Sequence, residues 1–264
     1  MSTPPTVRRI TGATVRRDFD DPNVVIHYTR AADRLGLWAS ERLLVERWLP
    51  DRAASLLEAG CGAGRVALGL WALGYRRLTG VDFSRELIAQ ARSLADTRGA
   101  AIEFLRADVT RWRPAPPPDG GYAGVLFLFN GLMQIPGRAR RRAALRRLGA
   151  ASRPDAILIL TTHDRDDGAR ERPHWSAEAA RWARGRQDPR LLEFGDRYFR
   201  DDHGGQTFMH LPTRAEVLED FGATGWVPRF HAMRREISAE SAAVRNFSDE
   251  CRFWVVQRAA RSAP

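Results

Sequence analysis

Leu56-Leu57-Glu58-Ala59-Gly60-Cys61-Gly62-Ala63-Gly64-Arg65 is the stretch on which the fold turns. An apolar run over 53–58 ends in three alternating glycines, and a helical pattern resumes over 65–73. That order predicts a strand, a glycine turn and a helix. Working outward, further strands are expected near 78–82, 102–107, 125–129 and 156–161, with helices over 84–95 and 138–150. The runs 125–129 and 156–161 are continuously apolar, as strands buried on both faces are. Five strands alternating with helices predict a doubly wound, mostly parallel α/β sheet. A helix over 213–221 and strands near 227–233 and 251–257 complete a seven-stranded sheet.

The remaining segments fall around that core. Residues 1–22 are polar, basic and proline-containing and are expected to be a flexible N-terminus. Over 23–50, Ala31, Leu35, Trp38, Leu43, Leu44 and Trp48 recur at helical spacing and predict an N-terminal helical cap. Residues 51–163 hold the core, and 212–264 complete the sheet. Between them, 164–211 breaks the alternation, is rich in Trp, Arg, Gly and Asp, and reads as an inserted lid.

A chain of 264 residues suits one α/β domain with additions, and 44% hydrophobic with 28% charged residues excludes wholesale disorder. No apolar run approaches the roughly 18 residues of a membrane span, and residues 1–10 lack the apolar middle of a signal peptide. The expectation is a cytoplasmic protein with no membrane partner. Cys61 and Cys251 are too few for a disulfide framework or a clustered zinc site and are expected to be free thiols. The net charge of +10 is carried entirely by arginine, since the chain has no lysine. Such charge raises the prospect of a nucleic-acid partner. The densest run, 138–147, is interleaved with Ala143, Ala144 and Leu145 and reads instead as a solvated helix face, so nucleic acid is disfavoured. Nothing in the sequence sets the oligomeric state.

The spacing Glu58-x-Gly60-x-Gly62-x-Gly64 resembles the nucleotide-binding motif of class I, Rossmann-like S-adenosylmethionine-dependent methyltransferases of the small-molecule type. A dinucleotide fingerprint would need glycine at position 65, where this chain has Arg65. The resemblance continues at Asp82, in Gly80-Val81-Asp82-Phe83-Ser84, where the family places its ribose-binding acid. An acceptor-only carboxylate suits two hydroxyls. Asp108 stands where the family binds the adenine amino group, with Val109 donating from its backbone. The segment Phe129-Asn130-Gly131-Leu132-Met133 resembles the one that lies between the methionine part of the cofactor and the methyl acceptor. The chain has neither the Asp/Asn-Pro-Pro-aromatic tetrapeptide of adenine-N6 and cytosine-N4 enzymes nor the Pro-Cys of cytosine-C5 enzymes. Across 24–161, the resemblance implies S-adenosylmethionine as cofactor, held by Glu58, Gly60, Cys61, Gly62, Gly64, Asp82, Phe83, Asp108, Val109, Phe129, Asn130 and Met133. Tyr28 and Trp38 are expected to offer aromatic faces to the sulfonium or adenine, or, for Trp38, to pack in the core.

The reaction so implied is in-line transfer of a methyl group to nitrogen, oxygen or sulfur of a small molecule or short peptide. Alignment can supply roughly 7–11 kcal/mol of barrier lowering, and water must be kept out. Residues 24–41 are a candidate lid, and 164–211 a candidate cover on the acceptor side, with Trp175, Trp182, Phe194, Tyr198 and Phe208 as apolar surface and Arg170, Arg172 and Arg200 for an anionic group. Where the acceptor carries a proton, His163 after the fifth strand and His210 at the end of the insert are candidate bases, or else hydrogen-bonded structural histidines. His163, Asp164, Asp166 and Asp167 read as a loop, so no metal is expected. An RNA methyltransferase and a non-catalytic cofactor-binding scaffold are the alternatives.

Overall fold

The computed structural model describes residues 8–113, 117, 119–168, 171–200 and 205–259. Most of the proline-rich stretch 114–118, and Arg170, lie outside them. The helices are α1 (Gly12–Phe19), α2 (Pro22–Arg34), α3 (Ala39–Trp48), α4 (Arg65–Ala72), α5 (Arg85–Thr97), α6 (Arg138–Ala151), α7 (Arg172–Ala183), α8 (Arg214–Gly222), α9 (Arg234–Ile237) and α10 (Ala242–Phe247). The strands are β1 (Ser55–Ala59), β2 (Arg77–Asp82), β3 (Glu103–Arg106), β4 (Tyr122–Phe127), β5 (Ser152–Thr162), β6 (Asp196–Arg200), β7 (Gln206–His210), β8 (Trp226–Met233) and β9 (Arg252–Arg258).

Seven strands make one sheet in the order β3-β2-β1-β4-β5-β9-β8. The pairs among β1 to β5 are all parallel, and β9 runs antiparallel to both of its neighbours. The expected doubly wound, mostly parallel seven-stranded sheet is therefore present. Successive side chains of a strand point to opposite faces. Leu57, Val125 and Leu158 accordingly pack with Ala144, Leu145 and Leu148 of α6 and Phe221 of α8. Leu56, Leu126 and Ile159 pack with Leu44 and Val45 of α3 and Val66 and Leu70 of α4. The strand order reverses between β1 and β4, which opens a crevice at their carboxyl ends.

Two expectations need correction. The first is the flexible N-terminus over 1–22: residues 1–7 lie outside the description, but α1 already starts at Gly12, capped by the Thr11 side chain. Its apolar contacts explain this, because Ile10 and Val15 are buried against Phe208 of β7, and the Ile10 N–H donates to the Arg190 carbonyl at 3.0 Å. The partner of this segment lies almost two hundred residues downstream, so the local polarity of the segment was misleading. The second is the solvated arginine face of α6. Arg138 and Arg142 pair with Asp220, Arg138 also with Glu219, and the buried Arg141 with Glu193. Much of that charge is spent on holding α6 to its neighbours. The insert 164–211 consists of α7 and a separate two-stranded sheet of β6 and β7, and Trp175 of α7 is built into the main core.

Candidate active site

The glycine turn after β1 needs its glycines. Gly60, Gly62 and Gly64 have φ of +63°, +52° and +83°. A Cβ would fall 2.8 Å from Phe127 at Gly60 and 2.9 Å from Phe104 at Gly64. Any side chain there adds a clash to backbone strain. The turn delivers the chain into α4, and the Glu58 carboxylate accepts from the Ala67 N–H in the first turn of that helix at 2.7 Å. Glu58 is buried, and loss of hydration pushes its carboxyl up to about 8 against the opposing backbone hydrogen bonds. Burial likewise raises the Cys61 thiol, so Cys61 is a packing residue without thiolate character.

Asp82, at the end of β2, accepts from the Gly62 N–H at 2.9 Å and from the Ser84 N–H at 2.8 Å. It thus holds the glycine turn while lining the crevice. Burial raises its carboxyl, and these backbone donors oppose the rise. Asp108 accepts from the Thr110 N–H and hydroxyl at 2.9 and 2.7 Å, and Arg16 of α1 approaches it at 3.9 Å. Glu58, Gly60, Cys61, Gly62, Asp82, Phe83, Asp108, Val109 and Phe129 all line one cavity, together with Tyr28 from α2. Two acceptor-only carboxylates set in apolar walls suit a nucleoside with free hydroxyls and an amino group, which is the donor set that S-adenosylmethionine brings. The free space is about 90 Å³, and Phe19, Tyr28 and Phe247 are among the residues that line it. Ligand pockets span about 300–1,000 Å³, so the walls must yield for a ligand of that size to enter.

A second chamber of about 340 Å³ adjoins the first. Phe19, Tyr28, Phe129, Gln134 and Phe247 belong to both. Phe129 stands edge-on to Tyr28, at 5.8 Å between centroids, and stacks with Phe247 at 5.2 Å. Asn130 and His163 line this second chamber, joined by a 3.1 Å hydrogen bond. Phe199, Thr207 and Met209 of the inserted hairpin supply part of its wall.

Among the described residues, Trp38, Gly64, Met133 and His210 are not part of either lining. Trp38 is 1% exposed, edge-on to the back of Phe129 and under the guanidinium of Arg65 at 4.5 Å. It therefore supports the wall without reaching the ligand space. Met133 is buried in the core beneath the short turn over Gly131–Gln134. Gly64 is a turn and helix-cap position. His210 is buried within the insert with its Nδ1 at 2.9 Å from Asp196, away from both chambers. Asp196 also accepts from the Leu192 and Glu193 N–H groups, and Glu193 is held by Arg141, so this acidic cluster closes the base of the insert. Asp164 and Asp167 are held by Arg252 and Arg235. Sequence reasoning missed Phe19, which falls in the segment taken as flexible, and Phe247, which belongs to no motif. An apolar residue periodic with Val15 was the only available signal for Phe19.

A family model described as a methyltransferase domain matches residues 56–155. Two curated trans-aconitate 2-methyltransferases match in part. That of Klebsiella pneumoniae (strain 342) is 40% identical over 72 residues, 26% of this chain and 26% of that protein. That of Azoarcus sp. (strain BH72) is 32% identical over 121 residues, 45% of this chain and 43% of that protein. The matches thus span less than half the length of these curated relatives. A solved S-adenosylmethionine-dependent methyltransferase from Methanosarcina mazei superposes with a TM-score of 0.66 at 17% identity, over 86% of this chain and 100% of that one, a likeness of fold.

Proposed function

We propose that the chain is a class I S-adenosylmethionine-dependent methyltransferase, as the methyltransferase-domain match over residues 56–155 and the partial likeness to curated methyltransferases support, and that it methylates a nitrogen, oxygen or sulfur atom of a small molecule or short peptide held in the second chamber. One observation carries this reading: Phe129, with Tyr28 and Phe247, belongs at once to the cavity holding Asp82 and Asp108 and to the adjoining chamber. When bound, the cofactor supplies a methyl group on a sulfonium, already a good leaving group. The chain's own work is alignment and exclusion of water. Asp82 and Asp108 fix the nucleoside, the glycine turn lets backbone approach it, and the aromatic wall offers π-faces to a cation while keeping the space dry. The size of the chamber, about 340 Å³, favours a small acceptor over a polymer. Arg138, Arg141 and Arg142 of α6 are paired with Asp220, Glu219 and Glu193, which weighs against this helix as an RNA-binding face. The test is mass spectrometry of metabolite extract incubated with the protein and methyl-labelled cofactor. A labelled product is expected with the wild type, and Asp82→Ala should weaken cofactor binding by the roughly 1.5–3 kcal/mol of a hydrogen bond to a charged group. Unchanged affinity in folded Asp82→Ala would remove the carboxylate from the site, and absence of labelled product across extracts would favour a cofactor-binding scaffold.

A further inference from the structure

The hydrogen bonds of Asn130 and His163 define each other's orientation. The Nδ1 of His163 lies 3.0 Å from the Glu250 carbonyl oxygen. A carbonyl only accepts, so Nδ1 carries a proton. Burial depresses the His163 pKa against the raising influence of Asp249, Glu171 and the Glu250 carbonyl, with Arg197 lowering it further, so the ring is neutral and Nε2 keeps its lone pair. That lone pair accepts from Nδ2 of Asn130 at 3.1 Å. The carboxamide is thereby set with its nitrogen toward His163 and its Oδ1 turned away. Asn130 is further fixed by its own N–H, which donates to Thr161 Oγ1 at 2.8 Å, and by a left-handed backbone with φ of +59°. The residue is 4% exposed, and Oδ1 has no hydrogen-bond partner. A buried carbonyl without a donor is costly, and Asn130 belongs to the lining of the second chamber, so a ligand donor that enters there can satisfy it.

We propose that Asn130 Oδ1 takes a hydrogen bond from an O–H or N–H of the methyl acceptor, so that the group seated there is a hydroxyl or amine and not a carboxylate, and that His163 is the positioning residue that turns the carboxamide to present this oxygen. A carboxylate at the same place would set negative oxygens against Oδ1. The base reading of His163 gives way, because its proton is donated to Glu250 and its lone pair is occupied by Asn130. This inference rests on the second chamber being the acceptor site.

Two measurements test it without turnover. In protein with nitrogen-15-labelled histidine, NMR should show His163 as the Nδ1–H tautomer, and Asn130→Leu should shift the Nε2 signal to that of a free lone pair. The opposite tautomer would reverse the carboxamide and overturn the proposal. The second measurement is calorimetric binding of phenol, anisole and benzoate to protein saturated with S-adenosylhomocysteine. Phenol donates a hydrogen bond, whereas anisole and benzoate do not. Phenol should bind about tenfold tighter than either, the value of one hydrogen bond. The preference should vanish in Asn130→Leu, fall in His163→Phe and persist in His163→Gln, whose side-chain oxygen can still accept from Nδ2. A cooperative thermal unfolding transition certifies that each variant is folded. Failure of phenol to outbind both analogues, including absence of measurable binding by all three, overturns the proposal. Should tautomer and preference hold while no methylated product is found, the methyl-transfer reading fails and the Asn130 assignment stands.

Discussion

Glu58 shows how one residue of a motif can serve the fold through its proton. Its carboxyl is pushed up to about 8 in the folded chain, against an ordinary value of 4.5. The unfolded chain therefore releases this proton first. Its contribution to stability is complete below the unfolded value, declines as pH rises from 4.5 toward 8, and is constant above that. Glu58→Gln keeps an oxygen for the Ala67 N–H and has no proton to lose. Denaturant unfolding between pH 5 and pH 9 should then show the wild type losing on the order of a few kcal/mol that the variant retains. Parallel stability profiles would show that Glu58 is ionised in the folded chain. The motif spacing alone pointed to Glu58 as a candidate site residue, but its bond to the start of α4 depends on how the turn folds back.

At the scale of elements, the glycine turn is tied to the N-terminal cap by a buried ion pair. Arg65, the first residue of α4, meets Glu41 of α3 through two hydrogen bonds of 2.6 Å and also donates to the Gly36 carbonyl at 2.8 Å. Glu41 accepts from the Trp38 N–H, and Glu240 caps the same helix start through the Ala39 and Ser40 N–H groups. Glu41→Ala leaves the Arg65 charge buried without its partner. The expected loss is about 3–5 kcal/mol in denaturant unfolding, since breaking one side of such a pair strands the other. A loss below 1 kcal/mol would mean that water reaches the guanidinium. In the sequence, Arg65 served only to argue against a dinucleotide loop. Its partner lies 24 residues earlier in a helix recognised from apolar spacing, which says nothing about a polar contact.

Over the whole molecule, the walls of both chambers are assembled from distant parts of the chain. The Tyr198 hydroxyl of β6 donates to Asp18 of α1 at 2.8 Å, and Phe19 beside it lines both chambers. Tyr198→Phe should cost about 1 kcal/mol of stability and release S-adenosylhomocysteine several-fold faster by stopped-flow measurement. An unchanged release rate would separate the hairpin from cofactor retention. The sequence by itself determined the chain order of the seven strands of the main sheet, the glycine turn, and the positions of Asp82 and Asp108, because each is a local pattern: an apolar period, a glycine run, an acid at a strand end. Only the tertiary structure decided that α1 is ordered, that Trp38 and Met133 stand behind the wall, that Phe19 and Phe247 join it, and that Asn130 takes the lone pair of His163. These depend on contacts such as Tyr198 with Asp18, 180 positions apart, and His163 with Glu250, 87 apart. Local patterns are fixed by neighbours in sequence, whereas such contacts exist only once the sheet has brought its edges and loops together.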